Sequence, residues 1–260
     1  MTGLKGSELK KKIARNEKVF GTFLGITDPT VARMFAQLGF DFLIIDMEHI
    51  ALNRETVQQM LLMFEGTNTC PIVRVPWHEP VWAKWALDFG AEGIMYPNIS
   101  SVAAARQVVA NSKYPPEGAR GFFPRVASNF LMDLPEYLDG INDRIIVWAQ
   151  IEHKDGVENI NEIVKVPGID ALYIGPADLS FSMGILNQYE NPVFWDSVER
   201  ISTAARSAGI PIAYHLYDLS QKEVERVSSY AQIFSFGLDW FFAKEGAVSR
   251  LEMVKKITGA

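Results

Sequence analysis

Three short stretches of the chain place polar residues of unusual chemistry directly after apolar runs. They are Asp46-Met47-Glu48-His49, Gln150-Ile151-Glu152 and Gly175-Pro176-Ala177-Asp178-Leu179-Ser180. Each run has the composition of a buried strand, where ionised carboxylates are disfavoured and costly without a partner. Carboxylates just past two such strands therefore predict a positive group between Glu152 and Asp178. A divalent cation is the simplest candidate.

The type of ligand narrows the choice of metal. No cysteine–histidine cluster accompanies the two carboxylates, and oxygen ligands favour magnesium, manganese or cobalt over structural zinc. Two protein ligands leave coordination positions open for a chelating substrate such as an α-keto acid, whose carbonyl the metal would polarise as a Lewis acid. Taken singly, Glu152 and Asp178 also fit ordinary salt bridges or helix caps, and the sequence leaves that alternative open.

Four further residues are candidates for the same site. Arg74 lies in an apolar run, so its permanent charge must either pair with buried acid or face an open site, where it would stabilise an enolate oxygen. His49 follows a strand among acidic residues and is a candidate general base, or else a structural histidine. Asp88 lies near a helix end, where its charge opposes the helix dipole. It either orients a histidine or is an ordinary surface residue. His215 follows the seventh apolar run and is either a substrate contact or a loop histidine.

Apolar runs alternate with amphipathic stretches along the whole chain, which is the pattern of repeated βα units around a parallel sheet. The candidate strands are Val19 to Gly25, Phe42 to Asp46, Ile72 to Val75, Gly93 to Tyr96, Ile145 to Ile151, Ala171 to Ile174, Ile210 to Tyr214 and Ile233 to Phe236. Eight parallel strands favour a closed barrel, because closure leaves no exposed edge. We therefore predict an α/β fold, a single-domain TIM (β/α)8 barrel over residues 1–260, with the residues after each strand meeting at one rim.

One segment, 113–140, does not fit a simple βα unit. Tyr114-Pro115-Pro116-Glu117-Gly118 and Gly121-Phe122-Phe123-Pro124 interrupt any periodicity. Proline and glycine at this density are typical of loops. We interpret the segment as a loop insertion on the catalytic side of the barrel, with one helix from Leu134 to Leu138.

Composition excludes several classes of function. The 260 residues are 48% hydrophobic and 22% charged, as in an ordinary globular domain. A net charge of -6 provides no basic stripe for nucleic acid and no polybasic face for an anionic membrane. The single cysteine, Cys70, cannot form an intrachain disulfide, and no apolar stretch has the length of a membrane span. We expect a cytoplasmic protein with a small-molecule ligand.

Together these motifs resemble the HpcH/HpaI family of class II pyruvate aldolases, which includes 4-hydroxy-2-oxoheptanedioate and 2-dehydro-3-deoxyglucarate aldolases. The resemblance runs in order from about Gly21 to Val254. It is carried by Asp46-Met47-Glu48-His49, Val73-Arg74-Val75-Pro76, Leu87-Asp88-Phe89-Gly90-Ala91, Tyr114-Pro115-Pro116-Glu117-Gly118, Gln150-Ile151-Glu152 and Ile174 to Ser180 with Met183-Gly184. It implies a barrel of the phosphoenolpyruvate/pyruvate-binding type, a homo-oligomer built as a hexamer (a trimer of dimers), a divalent metal in each site and a place in aromatic compound catabolism.

The resemblance also implies a role for each matching residue. Glu152 and Asp178 would bind the metal, and Gln150 would contact substrate. The backbone amides of Ala177 and Asp178 would hold the pyruvate carboxylate. Arg74 would stabilise the enolate, His49 would be the acid/base and Asp88 would raise the basicity of that histidine.

The implied reaction is the reversible cleavage of a 4-hydroxy-2-oxo acid into pyruvate and an aldehyde. Alternatives are an oxaloacetate decarboxylase or a macrophomate-synthase-like enzyme, which would form the same pyruvate enolate, and a non-catalytic keto-acid-binding barrel. The chain departs from better-known members of the family at Arg120-Gly121-Phe122-Phe123-Pro124-Arg125 and at Tyr214-His215-Leu216-Tyr217. We expect both places to face the aldehyde half of the substrate.

Overall fold

The computed structural model describes residues 4–259 and places eight parallel strands in a closed barrel that follows the chain order. The strands are β1 Val19–Leu24, β2 Phe42–Asp46, β3 Cys70–Arg74, β4 Gly93–Tyr96, β5 Ile146–Ile151, β6 Ala171–Ile174, β7 Ile212–Leu216 and β8 Ile233–Leu238. Each strand pairs with its neighbours in the chain, and β8 closes the barrel against β1. The predicted TIM barrel is confirmed, although residues 1–3 and 260 of the predicted domain lie outside the described residues.

The helices surround the barrel. They are α1 Leu4–Ala14, α2 Pro29–Phe35, α3 Arg54–Leu62, α4 Pro80–Asp88, α5 Val102–Ser112, α6 Leu134–Leu138, α7 Ile141–Arg144, α8 Lys154–Glu158, α9 Ile160–Ile163, α10 Pro176–Ser182, α11 Pro192–Ala208, α12 Gln221–Ser228 and α13 Asp239–Thr258. Side-chain caps begin several of them: Asp28, Asn53 and Ser101 each accept a hydrogen bond from a backbone amide of the first turn. Within residues 4–259, no helix combines the length and the apolar character required to cross a bilayer.

Side chains alternate along the strands between the barrel interior and the helix layer. Three strands show this from the amino-terminal end to the carboxyl end of the barrel. The inward residues of β2 are Phe42, Ile44 and Asp46, and those of β3 are Cys70, Ile72 and Arg74. The inward residues of β5 are Ile146, Trp148 and Gln150. The lower positions form one apolar cluster, into which Leu9 of α1 packs from below. Each of these strands therefore changes from apolar to polar at its carboxyl end, which places the polar groups together at the rim.

The insertion 113–140 lies at the opposite face, so its predicted place on the catalytic side is wrong. α5 ends and β5 begins at the amino-terminal face, because a helix after one strand returns the chain to the start of the next. The backbone amides of Val126 and Ala127 donate to the carbonyl of Asp88 at the end of α4, and Arg120 binds the Asp88 carboxylate. The predicted helix at Leu134–Leu138 is present as α6.

α13, at 20 residues the longest helix of residues 4–259, packs weakly against its own barrel. It contacts β1 and β8 near its start, and Asp239 is its only buried residue. Its later turns expose Leu251, Met253, Val254 and Ile257, the last with 77% of its surface accessible. A helix with this much exposed apolar surface is typical of an interface with another surface.

Candidate active site

A buried ion-pair network joins the ends of β2 and β3. Asp46 and Arg74 are partners in the strand register, and the Arg74 guanidinium donates to both carboxylate oxygens of Asp46 at 2.9 and 2.7 Å. Its remaining terminal nitrogen lies 3.2 Å from Glu48 Oε2. Burial disfavours the charge of Arg74, but the contacts with these carboxylates outweigh it and raise its pKa. Arg74 is therefore both a partner of buried acid and a charged group at the rim.

Asp46 also fixes the loop that follows β2. Its Oδ1 accepts a hydrogen bond from the backbone amide of Glu48 at 3.0 Å. The same oxygen lies 3.4 Å from the amide of His49. One carboxylate thus positions the guanidinium and both loop residues, so Asp46 acts as a positioning residue.

Glu152 is the most constrained carboxylate of the site. The backbone amide of Asn98 donates to its Oε1 at 2.7 Å, and the Gln150 side chain donates to its Oε2. A Cβ atom at Gly175 would lie 2.8 Å from both Glu152 Oε2 and Gln150 Nε2. Because real Cβ contacts are longer, any side chain at position 175, just after β6, would force Gln150 and Glu152 to move from these positions. Asn98 itself has φ of 48°, a left-handed conformation that asparagine tolerates.

Negative charge accumulates around Glu152. Burial raises the pKa of Glu152 to about 8, and the charges of Glu48 and Asp178 add to this effect against the Asn98 amide and Arg74. Burial also raises the pKa of Glu48, although Arg74 and His49 oppose the shift. Asp178 is exposed in the first turn of α10. The acidic groups of this site therefore carry more negative charge than Arg74 offsets.

The oxygen atoms of the site fit a hard divalent cation. Gln150 Oε1 and Asn98 Oδ1 are buried without a hydrogen-bond donor from residues 4–259, and Glu48 Oε2 has ion-pair contacts alone. All are acceptors, and they belong to the same site as Glu152, whose ionisation is disfavoured by burial and by neighbouring acid. No three His, Cys, Asp or Glu side chains of the described chain converge into a metal-binding cluster. A cation on Glu152 and Asp178 would keep most of its positions for water and substrate, as catalytic sites do.

His49 and Asp88 are not brought together within one chain. His49 lies at the rim with its side chain 57% exposed and its Nε2 3.7 Å from Glu48 Oε2. Asp88 ends α4, whose nine residues span about 13 Å from the rim toward the opposite face. There it pairs with the buried Arg120. The predicted action of Asp88 on His49 stays a prediction, and in this fold it requires Asp88 of a second chain.

An aromatic wall, made of Phe23, His215, Tyr217 and Tyr189, borders the site on the β7 side. Ring centroids lie 5.4 Å apart for Phe23 and His215, 4.6 Å for His215 and Tyr217, and 6.0 Å for Tyr217 and Tyr189. Arg74 lies over Phe23, with its Cζ 4.8 Å from the ring centroid. His215 therefore belongs to the same rim as Arg74.

Three residues of the site, Phe23, Asn98 and Tyr189, were not predicted from the sequence. A usable signal existed for two of them. Phe23 occupies an inward position near the end of β1, and Asn98 closely follows β4, where the same rule that identified Glu152 applies. Tyr189 lies after α10, far in sequence from any strand end, and nothing in its local pattern indicates the rim.

A parallel eight-stranded barrel with acidic and basic groups at the carboxyl ends of its strands is the architecture of a barrel enzyme. The family model described as HpcH/HpaI aldolase/citrate lyase matches residues 19–244. The chain belongs to this family, as its motifs indicated, and is a lyase.

Curated relatives carry aldolase names. The chain is 33% identical over 206 residues to a hydroxypyruvate/pyruvate aldolase of Roseovarius nubinhibens, covering 77% of this chain and 80% of the relative. It is 34% identical over 248 residues to a 4-hydroxy-2-oxo-heptane-1,7-dioate aldolase of Salmonella typhimurium, covering 92% of each.

Solved structures of the family superpose closely. An HpcH/HpaI aldolase from Desulfitobacterium hafniense gives a TM-score of 0.88 at 31% identity, covering 95% of this chain and 96% of the other. Macrophomate synthase gives a TM-score of 0.83 at 29% identity, covering 97% of this chain and 90% of the other.

Proposed function

We propose that the protein catalyses the divalent-metal-dependent, reversible aldol cleavage of a 4-hydroxy-2-oxo acid to pyruvate and an aldehyde. The observation that carries the proposal is the buried Glu152 carboxylate, fixed by Asn98 and Gln150 and crowded by Glu48 and Asp178. Relatives that are 32 to 34% identical over most of this chain and named as aldolases support it.

Glu152 and Asp178 would hold magnesium, manganese or cobalt. When bound, the cation would polarise the keto group of the substrate and offset the acid charge of the site. Gln150, whose Oε1 lacks a donor in the described structure, would contact the same substrate. The amides of Ala177 and Asp178 lie in the first turn of α10, where N–H groups have no intrahelical partner, and would hold the substrate carboxylate.

The remaining residues would move the proton and hold charge. His49 removes the proton of the 4-hydroxyl group. The bond between C3 and C4 then breaks, its electron pair stays on the pyruvate fragment as an enolate, and the hydroxyl oxygen becomes the aldehyde oxygen. Arg74, held by Asp46, presents positive charge to the enolate oxygen. Returning the proton to C3 releases pyruvate.

Oxaloacetate decarboxylation and a macrophomate-synthase-like reaction would use the same enolate. Relatives that are 32 to 34% identical to this chain are named as aldolases. The aldol reaction is therefore favoured.

The test measures pyruvate release from a racemic 4-hydroxy-2-oxo acid and from oxaloacetate, with lactate dehydrogenase as the coupling enzyme. We expect activity with manganese, loss of activity after exhaustive chelation, and recovery when manganese is restored. Glu152→Gln removes the ligand charge at nearly constant shape, and we expect it to be inactive. Glu162→Gln, a surface control with its side chain 61% exposed, keeps full activity. Cleavage that survives chelation, or that is unchanged in Glu152→Gln, would refute the proposal.

We further propose that the chain forms a homo-oligomer, with a hexamer as the expected state. Two observations support it: the exposed apolar turns of α13, and the position of Asp88 far from His49 of its own chain. Light scattering after size-exclusion chromatography measures the mass. A second experiment mixes inactive His49→Ala and Asp88→Asn chains after reversible dissociation. If Asp88 acts across subunits, some mixed sites contain both native residues and activity returns. If Asp88 acts within its own chain, no activity returns.

A further inference from the structure

A hydrogen-bonded chain crosses the barrel interior just below the rim. Tyr173, Ser235 and His215 occupy inward positions on β6, β8 and β7, and His215 and Ser235 are register partners. The Tyr173 hydroxyl is hydrogen-bonded to Ser235 Oγ, and the same oxygen lies 2.8 Å from His215 Nδ1. The three residues are buried, with 1%, 0% and 4% of their surfaces exposed.

The direction of the hydrogen bonds follows from the number of protons available. Within residues 4–259, Ser235 Oγ is the one acceptor in reach of the Tyr173 phenol, so Tyr173 donates to Ser235. The Ser235 hydroxyl then donates its own proton to His215 Nδ1. If His215 Nδ1 donated to Ser235 instead, either the Tyr173 phenol proton or the Ser235 hydroxyl proton would lack an acceptor among the described residues, which is unfavourable. A neutral His215 therefore carries its proton on Nε2.

The surroundings keep His215 neutral. Burial and the positive charge of Arg74 together lower the pKa of His215 to about 3. The imidazole therefore has one N–H at neutral pH. Because Nδ1 accepts the hydrogen bond from Ser235, this N–H is on Nε2.

The Nε2 atom of His215 is unpaired but not fully sealed from the site. It forms no hydrogen bond with any described residue, yet it keeps some accessible surface, unlike the buried polar atoms that lack a partner. The ring edge is bordered by Phe23 and Tyr217, both apolar on their faces. A single N–H donor between two aromatic rings discriminates between ligands that have an oxygen at that point and ligands that have a methyl group.

We propose that His215 is a specificity-determining residue that donates its Nε2 proton to an oxygen on the aldehyde half of the substrate. The inference rests on the proposed aldol reaction, in which residues of β5 and α10 hold the pyruvate half and leave the β7 side for the aldehyde. The preferred aldehydes are those with a hydroxyl or carboxylate oxygen next to the carbonyl, over alkyl aldehydes of the same size.

The proton position is tested first, without metal or substrate. Long-range 1H–15N spectra of protein labelled at the histidine nitrogens distinguish the two tautomers, and His215→Gln identifies the signals of residue 215. We expect His215 to be neutral at pH 7 with its proton on Nε2, and Ser235→Ala to shift the Nδ1 signal because this nitrogen loses its hydrogen-bond donor. A proton on Nδ1, or a charged ring, would overturn the inference whatever the enzyme's activity.

Specificity is tested with two aldehydes of equal size, glycolaldehyde and propanal, condensed with pyruvate in the manganese enzyme. We expect kcat/KM to favour glycolaldehyde by about three- to tenfold, as one neutral hydrogen bond allows. His215→Leu removes the donor and is expected to abolish the preference, whereas His215→Gln keeps an N–H near the Nε2 position and restores part of it. Tyr217→Phe, which removes the neighbouring phenol, leaves the preference unchanged.

A separate measurement distinguishes failure of this inference from failure of the proposed function. Deuterium exchange into the pyruvate methyl group needs no aldehyde and reports the pyruvate half alone. We expect exchange to persist in His215→Leu and His215→Gln, which also shows that the variants fold. If exchange occurs and the glycolaldehyde preference survives in His215→Leu or disappears in Tyr217→Phe, His215 is not the determinant. If the wild type shows no exchange, the proposed aldol chemistry is wrong instead.

Discussion

The burial of the Glu152 carboxylate, reinforced by the charges of Glu48 and Asp178, predicts that the metal-free protein is less stable than it would be with a neutral side chain there. A carboxyl group whose pKa is raised in the folded state holds its proton after the unfolded chain has lost it. Stability therefore falls as the pH rises from the ordinary value of 4.5 to about 8, and stays constant above that. Glu152→Gln removes the ionisation and, with it, this loss.

The magnitude follows from the same interval. A pH of 7 is 2.5 units above the pKa of 4.5 of the carboxyl group in the unfolded chain, whereas the folded group is still mostly protonated. At 1.36 kcal/mol per pKa unit, the loss of folding stability is about 3 kcal/mol. At pH 8.5 the difference approaches an upper bound of about 5 kcal/mol by the same reasoning. The glutamine keeps an oxygen for the Asn98 amide, and its NH2 group can donate to Gln150 Oε1 once the Gln150 side-chain amide turns over.

Urea unfolding followed by circular dichroism, with chelator present and protein concentration fixed, measures the difference at pH 4, 7 and 8.5. We expect Glu152→Gln and the wild type to be equally stable at pH 4 and the variant to be more stable at pH 7 and above. Glu162→Gln, which loses only a surface pair with Lys165, gives a small change that does not grow with pH. A difference between Glu152→Gln and the wild type that is independent of pH would refute the electrostatic account of this site.

Three further predictions concern the same rim. Manganese is expected to raise the melting temperature more at pH 8.5 than at pH 6, because below about pH 8 the ion must displace the Glu152 proton; equal shifts in differential scanning fluorimetry would contradict this. Gly175→Ala forces a methyl group to within 2.8 Å of the Glu152 carboxylate, and a fall of about 100-fold in kcat/KM is expected, while Gly246→Ala in α13 has no effect. Arg74→Lys loses the two-point contact with Asp46, so steady-state kinetics is expected to show kcat reduced by about 100-fold with a folded protein; near-normal turnover would remove Arg74 from the reaction.

The fold was largely accessible from the sequence because the apolar runs are strands buried on both faces. The bounds of β2, β4 and β6 match the predicted runs, whereas β7 runs from Ile212 to Leu216 and not from Ile210 to Tyr214. Pro211 offers no N–H to a strand ladder, so the strand begins after it. This shift makes His215 an inward-facing member of β7 rather than a loop residue, which decides what it contacts.

The site was accessible only in part, for two physical reasons. Asp46 was identified as a site residue, but its role in holding Arg74 depends on strand register, which a single strand's sequence does not reveal. The position of Asp88 depends on the direction of α4 relative to the rim, and its partner Arg120 comes from an insertion without periodicity. α1 was not predicted, since its lysine-rich pattern conceals Leu9, the residue that packs below the barrel.

Beneath its polar rim, the barrel is plugged. Trp148 and Tyr173 fill the interior directly under Gln150 and Gly175, with Phe42 below them. Ligands therefore enter and leave through the carboxyl-terminal opening of the barrel. In the proposed reaction pyruvate is the product held by the metal ligands and by the amides of α10, so we expect the aldehyde to depart first and pyruvate last. Pyruvate added at high concentration is accordingly expected to compete with the hydroxy-keto acid, whereas the aldehyde alone is not.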